Sequence, residues 1–257
     1  MKAIVCVKAV PDTETRIKIG ADGRSIDRTD VKFIISPYDE YALEEGLKLK
    51  EAAGGGEVVI VSFGGDEVPA IMRECLARGA DRAIHVKDAA IDEADTVTVG
   101  KALAAAIKPE NPDIVLCGTK GVGGDNSQIA SIVAEYLGIP QVTDVTKMQV
   151  TDRNVRAERE IEGGHEVIET QLPVVISAQK GLNEPRYATL KGIMAAKKKP
   201  IDTKSAADLG LTDLSPKVRI VALGYPPARP SGRIIPGDPD AATNALVDAL
   251  HNEAKVI

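Results

Sequence analysis

Tryptophan is absent from the 257 residues, and the aromatic side chains together amount to only 3 %. Stacking platforms for nucleic-acid bases are hard to build from so few rings. Positive charge is short as well: 32 Lys and Arg stand against 38 Asp and Glu, for a formal net charge of −6. Without a global positive field to gather phosphates, nucleic acid is excluded as the main partner. Long hydrophobic runs are missing. Ile114 to Cys117 and Val174 to Ile176 fall far below the roughly 20 residues that cross a bilayer, so no membrane span is expected.

Cysteine is scarce, and Cys6, Cys75 and Cys117 are odd in number, widely spaced and set in apolar stretches. That usage reads as buried reduced thiols rather than a disulfide frame or a metal site. The opening Met1 to Val7 run is too short and wrongly flanked for an export signal, so a cytoplasmic setting, bacterial or archaeal, is expected. Catalytic constellations are lacking too. His85, His165 and His251 are scattered, no GxSxG elbow occurs, and no His/Cys cluster has metal-ligand spacing. No catalytic residue and no metal ligand is assigned.

What is present is a 44 % hydrophobic, 27 % charged composition with enough apolar material for one large core. In the first half, short β-branched runs alternate with amphipathic stretches. Strands are predicted at Ala3 to Lys8, Val58 to Phe63, Ala83 to Val86 and Ile114 to Gly118, and covering helices at Asp39 to Ala52, Glu67 to Arg78, Thr96 to Ile107 and Ser127 to Leu137. The near-continuous apolar character of the strands implies burial on both faces. After Pro140 the period changes to two: Val142 to Val150, Val155 to Ile161 and Glu166 to Gln171 are predicted as antiparallel strands. Lys217 to Leu223 reads as a last strand.

The expected fold class is therefore α/β, a doubly wound, mainly parallel sheet of the adenine-nucleotide-binding type with an added antiparallel hairpin region and a C-terminal arm. The α/β domain is expected over 1–224. Over 225–257 an irregular Pro- and Gly-rich linker precedes a helix at Ala241 to Ala254, too short to be stable alone and so expected to dock on a partner.

The most informative local feature is Gly118-Thr119-Lys120-Gly121-Val122-Gly123-Gly124-Asp125-Asn126-Ser127-Gln128, which joins a strand to a helix. Glycines at a strand's carboxyl end let backbone N–H groups approach an anion, and the helix start adds positive dipole. The spacing matches neither the Walker nor the GxGxxG pattern, and a tight strand-to-helix turn explains the glycines equally well. Asn126 and Ser127 are equally placed to cap the helix. Two further strand ends, Cys6-Val7-Lys8 and Ser62-Phe63-Gly64-Gly65-Asp66, are expected beside this loop, where open α/β sheets hold ligands. Phe63 is placed either against an adenine face or in the core. Ser36-Pro37-Tyr38-Asp39 enters a helix, and Ser36 or Asp39 suits a cap as well as a ribose or base contact. The Lys197-Lys198-Lys199 run, beside Leu190, Ile193 and Met194, reads as a solvated face; an exposed Leu and Met beside it would instead suggest a partner-docking patch.

Longer motifs narrow the reading. Ala157-Glu158-Arg159-Glu160-Ile161-Glu162-Gly163-Gly164-His165-Glu166-Val167-Ile168 followed by Pro173-Val174-Val175-Ile176-Ser177 resembles the signature of electron transfer flavoprotein beta subunits. Leu182 to Leu190, Ile193 to Lys199, Val5 to Lys8, Pro37 to Glu40 and Gly79 to Arg82 are similar to the same family, so the resemblance covers nearly the whole chain. It implies a nucleotide against Cys6, Ser36, Pro37, Tyr38, Asp39, Phe63 and the Gly118 to Gln128 loop. It also implies a docking loop anchored by Leu190 with Ile193 and Met194, and a carboxylate at Glu160 that helps hold a mobile FAD domain.

The partners implied are an alpha subunit that binds FAD, dehydrogenases such as acyl-CoA dehydrogenases, and a quinone oxidoreductase. Ordinary members keep AMP in this subunit, whereas flavin-bifurcating members place a second FAD that takes hydride from NADH. Val10 to Thr13 and Pro37 to Asp39 resemble the bifurcating branch, and Arg159 to Gly164 and Asn183 to Thr189 the ordinary one; AMP is the expectation. A stand-alone adenine-nucleotide sensor of the stress-protein type is the reading from another class. It leaves the Arg159 to Ser177 signature and the C-terminal arm unexplained.

Overall fold

Strand interiors so apolar need cover on both sides, and the computed structural model, which describes residues 1–89, 94–229 and 231–257, provides it. A nine-stranded sheet is built from β1 (Lys2–Cys6), β4 (Glu57–Phe63), β5 (Arg82–Val86), β6 (Ile114–Gly118), β7 (Gln141–Thr151), β8 (Asn154–Ile161), β9 (Gly164–Gln171), β10 (Val174–Ala178) and β11 (Ile201–Lys204). Their order is β11-β5-β4-β1-β6-β10-β7-β8-β9. Every pairing from β11 to β7 is parallel, and β8 and β9 add antiparallel. A separate antiparallel pair joins β2 (Ala9–Pro11) to β3 (Phe33–Ile35).

Alternate residues along each strand feed opposite layers. On one face Ala3 and Val5 of β1 meet Leu43 and Leu47 of α1 (Pro37–Ala52) and, beyond them, Met72 and Leu76 of α2 (Val68–Arg78). On the other, Ile4 and Cys6 meet Leu103 and Ile107 of α3 (Thr96–Ile107) and Val133 of α4 (Ile129–Leu137). The chain winds outward from β1 through β4 to β5, then crosses back to β6 on the other side of β1. That reversal places a topological switch point between β1 and β6, where the connecting loops diverge.

The structure departs from the sequence-based expectation in several places. Val142 to Val150 is not wholly antiparallel. The start of β7 pairs parallel with β10, Gln141 opposite Val175, and only the remainder runs antiparallel to β8. β10 and the short edge strand β11 were not predicted as strands. Lys217 to Leu223 is not a strand: β11 already holds the edge beside β5, and the Lys217 and Val218 amides donate instead to the Asp95 carboxylate at 2.6 and 3.2 Å. Between Leu190 and Ala196 lies a short helix, α5 (Leu190–Ala196).

The chain divides into two compact units, Met1–Val221 and Ala222–Ile257. The second holds α6 (Pro239–Asp248), capped by Asp238, whose carboxylate accepts from the Ala241 amide at 2.9 Å, and continued by a wider turn over Ala249–Glu253. The Tyr225 to Pro239 stretch before it has no regular element among its described residues up to Asp238; Pro230 lies outside them.

Candidate functional site

The carboxyl ends of β1, β4 and β6 open on one cavity of about 380 Å³. Of the residues predicted from sequence, Cys6, Asp39, Phe63, Gly118, Gly121, Asn126, Ser127 and Gln128 line it. Ser36, Pro37, Tyr38, Val122, Gly123, Gly124 and Asp125 are not part of its wall.

Asp39 sits in the first turn of α1 and ties that helix to two strand ends. Its Oδ2 accepts from the Lys8 amide at 2.7 Å and its Oδ1 from the Gly118 amide at 3.0 Å. Burial pushes its carboxyl up to about 7, although the two amides act in the opposite sense. Asp39 is therefore a staple as well as a wall residue. The approach requires glycine at 118, because a Cβ there would lie 2.4 Å from Asp39 Oδ1 and 2.7 Å from the Tyr38 carbonyl carbon. Ser36 occupies the cap position of α1 but makes no capping bond, and its buried Oγ has no hydrogen-bond partner. The Tyr38 ring lies 5.6 Å from the Lys120 ammonium, which also faces Asp125 at 3.3 Å.

The loop after β6 is bent by left-handed backbone at Gly123, Asp125 and Ser127. The Gly124 and Asp125 amides fold back to donate to the Gly121 carbonyl at 3.3 and 3.0 Å. Helix α4 starts two residues later than predicted, at Ile129, with Gln128 as its cap residue and no side-chain capping bond. Asn126 and Ser127 are thus not its caps. Asn126 Nδ2 instead donates to Thr96 Oγ1 at 2.7 Å, pinning the loop to the start of α3. The first-turn amides of α4 have no partner within the helix, and Gln128 and Ile129 put that positive end at the cavity wall.

Sequence reasoning gave Arg28 and Thr96 no part in the wall and named Lys8 and Lys120 only as members of a strand end and of the glycine loop, yet all four line it. A Cβ at Gly121 would lie 2.8 Å from Lys8 Cδ, so the lysine stem runs along the glycine loop. Lys8 ends the quoted strand segment, and its position was the available signal. Arg28 pairs with Glu67 at 3.7 Å. Three cationic side chains, Lys8, Arg28 and Lys120, face two acidic ones, Asp39 and Glu67, among the described wall residues. With Asp39 half neutral near pH 7, the balance favours an anion.

The predicted docking residues lie elsewhere. Leu190, Ile193 and Met194 are exposed on α5, which packs on α2, and Tyr187 just before it is 91 % exposed. Glu160 lies on β8, four strands beyond β1, opposite His165 of β9. The structure does not bring Glu160 and the α5 residues together. The lysine run is only partly solvated: Lys199 Nζ donates to the Leu76 and Ala80 carbonyls, closing the end of α2.

The fold and cavity define a doubly wound α/β protein with a glycine-bordered, cation-edged pocket at its switch point. A family model described as the electron transfer flavoprotein domain matches residues 24–209. The chain is 39 % identical over 261 residues to the electron transfer flavoprotein subunit beta of Bacillus subtilis (strain 168), covering all of both chains. It is 41 % identical over 257 residues to the subunit of that name from Syntrophomonas wolfei, covering all of this chain and 98 % of that one. It is also 37 % identical over 262 residues to the Caffeyl-CoA reductase-Etf complex subunit CarD of Acetobacterium woodii, covering 99 % and 98 % of the two chains. The chain belongs to the family of electron transfer flavoprotein beta subunits.

Proposed function

We propose that this chain is the nucleotide-holding beta subunit of a heterodimeric electron transfer flavoprotein, with AMP in the switch-point cavity and FAD carried mainly by an alpha subunit. The observation that carries the choice of nucleotide is the cavity. At about 380 Å³ it lies near the lower end of the roughly 300–1,000 Å³ range of ligand pockets, which suits a mononucleotide better than a dinucleotide.

The residues present fit such a ligand. Phe63 offers an apolar wall, Lys8 and the amide-rich start of α4 offer charge and donors for a phosphate, and Gly121 leaves room for the Lys8 stem. Bound there, AMP supplies no redox chemistry; FAD supplies the electron-carrying ring. This chain contributes the wall that shapes the flavin's surroundings and the exposed α5 surface that meets a dehydrogenase. Electrons then run from dehydrogenases, acyl-CoA dehydrogenases among them, towards a quinone oxidoreductase.

We place the protein in the cytoplasm; among the described residues no helix is long and apolar enough to cross a membrane. The test is to purify the chain with its flavin-bearing partner, denature the complex and count nucleotides by chromatography. One FAD and one AMP per complex is expected. Two FAD and no AMP would make this a flavin-bifurcating subunit and overturn the assignment of the cavity.

A further inference from the structure

Cys6 and Cys117 end neighbouring parallel strands at the switch point. The register of β1 and β6 runs Ala3 to Ile114, Ile4 to Val115 and Val5 to Leu116, so the next step sets Cys6 opposite Cys117. Both side chains enter the same apolar layer, beneath α3 and α4. Both line the cavity, at 5 % and 2 % exposure. Adjacent strands stand about 4.7–4.9 Å apart, within the roughly 4.4–6.8 Å Cα separation that a disulfide accepts. Cys75, the third cysteine, lies on α2 in the opposite layer. It cannot reach either sulfur.

From this geometry we propose that Cys6 and Cys117 form an oxidisable dithiol in the wall of the cavity, closed to an intramolecular disulfide by a low-molecular-weight disulfide and shielded when the cavity holds its nucleotide. The chemistry balances as thiol–disulfide exchange. The Cys6 sulfur attacks the small disulfide, its S–S bond breaks, and one small thiol leaves with a proton. The Cys117 sulfur, giving its proton to solvent, then attacks Cys6 Sγ and expels the second small thiol. Two protein thiols lose two electrons and two protons, and the small disulfide is reduced to two thiols. A strap between β1 and β6 would draw together the two strand ends that Asp39 holds through the Lys8 and Gly118 amides. Oxidation state and nucleotide occupancy are then coupled at one point in the fold.

The shielding part rests on the proposed function; the disulfide does not. The test uses the full chain freed of nucleotide, incubated with oxidised glutathione. Thiols are counted after denaturation in quenching alkylator, and peptides are mapped by mass. The expected result is loss of two of the three thiols and a Cys6–Cys117 cross-linked peptide, retained in Cys75→Ser and absent in Cys6→Ser and Cys117→Ser. Three thiols after prolonged incubation, or a bridge that includes Cys75, overturns the proposal. AMP at about ten times its Kd is expected to slow closure about tenfold, since only the free fraction reacts. If calorimetry shows AMP bound and closure is not slowed, the shielding is wrong. If AMP does not bind while the bridge still forms, the nucleotide assignment fails and the dithiol stands.

Discussion

Arg186 grips Glu44 with two parallel hydrogen bonds, Nε to Oε2 at 2.8 Å and Nη2 to Oε1 at 2.9 Å. Glu44 is a buried residue of α1, so this fork fastens the segment before α5 to the helix that carries Asp39. Asn183 adds a second tie, donating to the Tyr41 carbonyl at 3.0 Å and to Glu45 at 2.9 Å. Arg186 is half-buried and Glu44 buried, so removing the guanidinium leaves the buried carboxylate uncompensated. Arg186→Ala is therefore expected to destabilise the chain by about 2–4 kcal/mol, read as a lower urea midpoint with an unchanged m-value. Arg186→Lys restores only part of the loss, because an ammonium cannot reproduce the planar fork. A wild-type midpoint in Arg186→Ala would show that the fork holds nothing.

Asp39 gives a pH prediction with a definite sign. Its folded-state carboxyl is raised from 3.8 to about 7 by burial, so between those values the folded state binds more protons than the unfolded one. Stability is then fully present below pH 3.8 and declines as pH rises towards about 7. Asp39→Asn removes the titration but retains only one oxygen acceptor for the Lys8 and Gly118 amides. The variant should be less stable in acid, yet its stability relative to wild type should improve as pH climbs from 4.5 to 7.5, by an amount on the order of a few kcal/mol. Urea unfolding of both proteins across that range measures it. A constant difference would place the Asp39 titration outside the window.

Two glycines of the cavity loop separate steric from conformational demands. At Gly118 the obstacle is a carboxylate oxygen and backbone, neither of which yields easily, so Gly118→Ala should cost about 1–3 kcal/mol by overpacking and also weaken nucleotide binding. Gly123 has open space around it but a φ of +91°, so Gly123→Ala should cost about 1–2 kcal/mol through backbone strain alone. Thermal unfolding paired with calorimetric titration of AMP distinguishes them: both variants lose stability, and Gly118→Ala carries the larger loss of affinity.

The parallel core was legible because its strands obey a simple rule. Residues such as Ile4, Val5, Val59, Ile60, Val115 and Leu116 are buried on both faces, and that burial writes itself as continuous apolar runs. The strand ends Cys6 and Phe63 and the glycine loop followed from the switch-point rule once the strands were placed. β11 escaped because its Ile-Asp-Thr-Lys sequence is polar, as an edge strand's often is. β7 was half misread because one strand serves two neighbours of opposite direction, and local alternation cannot report which side pairs parallel. Lys217 to Leu223 failed in the other direction: its β-branched residues suggest a strand, but the Lys217 and Val218 amides donate to the Asp95 carboxylate rather than to a neighbouring strand. The Lys8 and Arg28 contributions to the cavity depend on long side chains reaching across loops. No local pattern encodes that reach.

Leu190 tests whether α5 is a docking surface. It is 84 % exposed, so nothing in this chain is packed by it, and Leu190→Ala should leave stability within about 0.5 kcal/mol of wild type. Buried against a dehydrogenase, the same side chain contributes about 1.5–3 kcal/mol, so truncation should raise the KM for this protein in a dehydrogenase assay about ten- to hundredfold. The helix that presents Leu190 is fixed by Thr189, whose hydroxyl accepts from the Gly192 amide at 3.0 Å. Thr189→Ala removes that cap and frays the first turn, costing about 1 kcal/mol. It should therefore weaken docking less than Leu190→Ala while lowering the unfolding temperature more. That crossed pattern separates loss of the contacting side chain from loss of its support. An unchanged KM in Leu190→Ala, with the fold intact, would mean that dehydrogenases meet this subunit elsewhere.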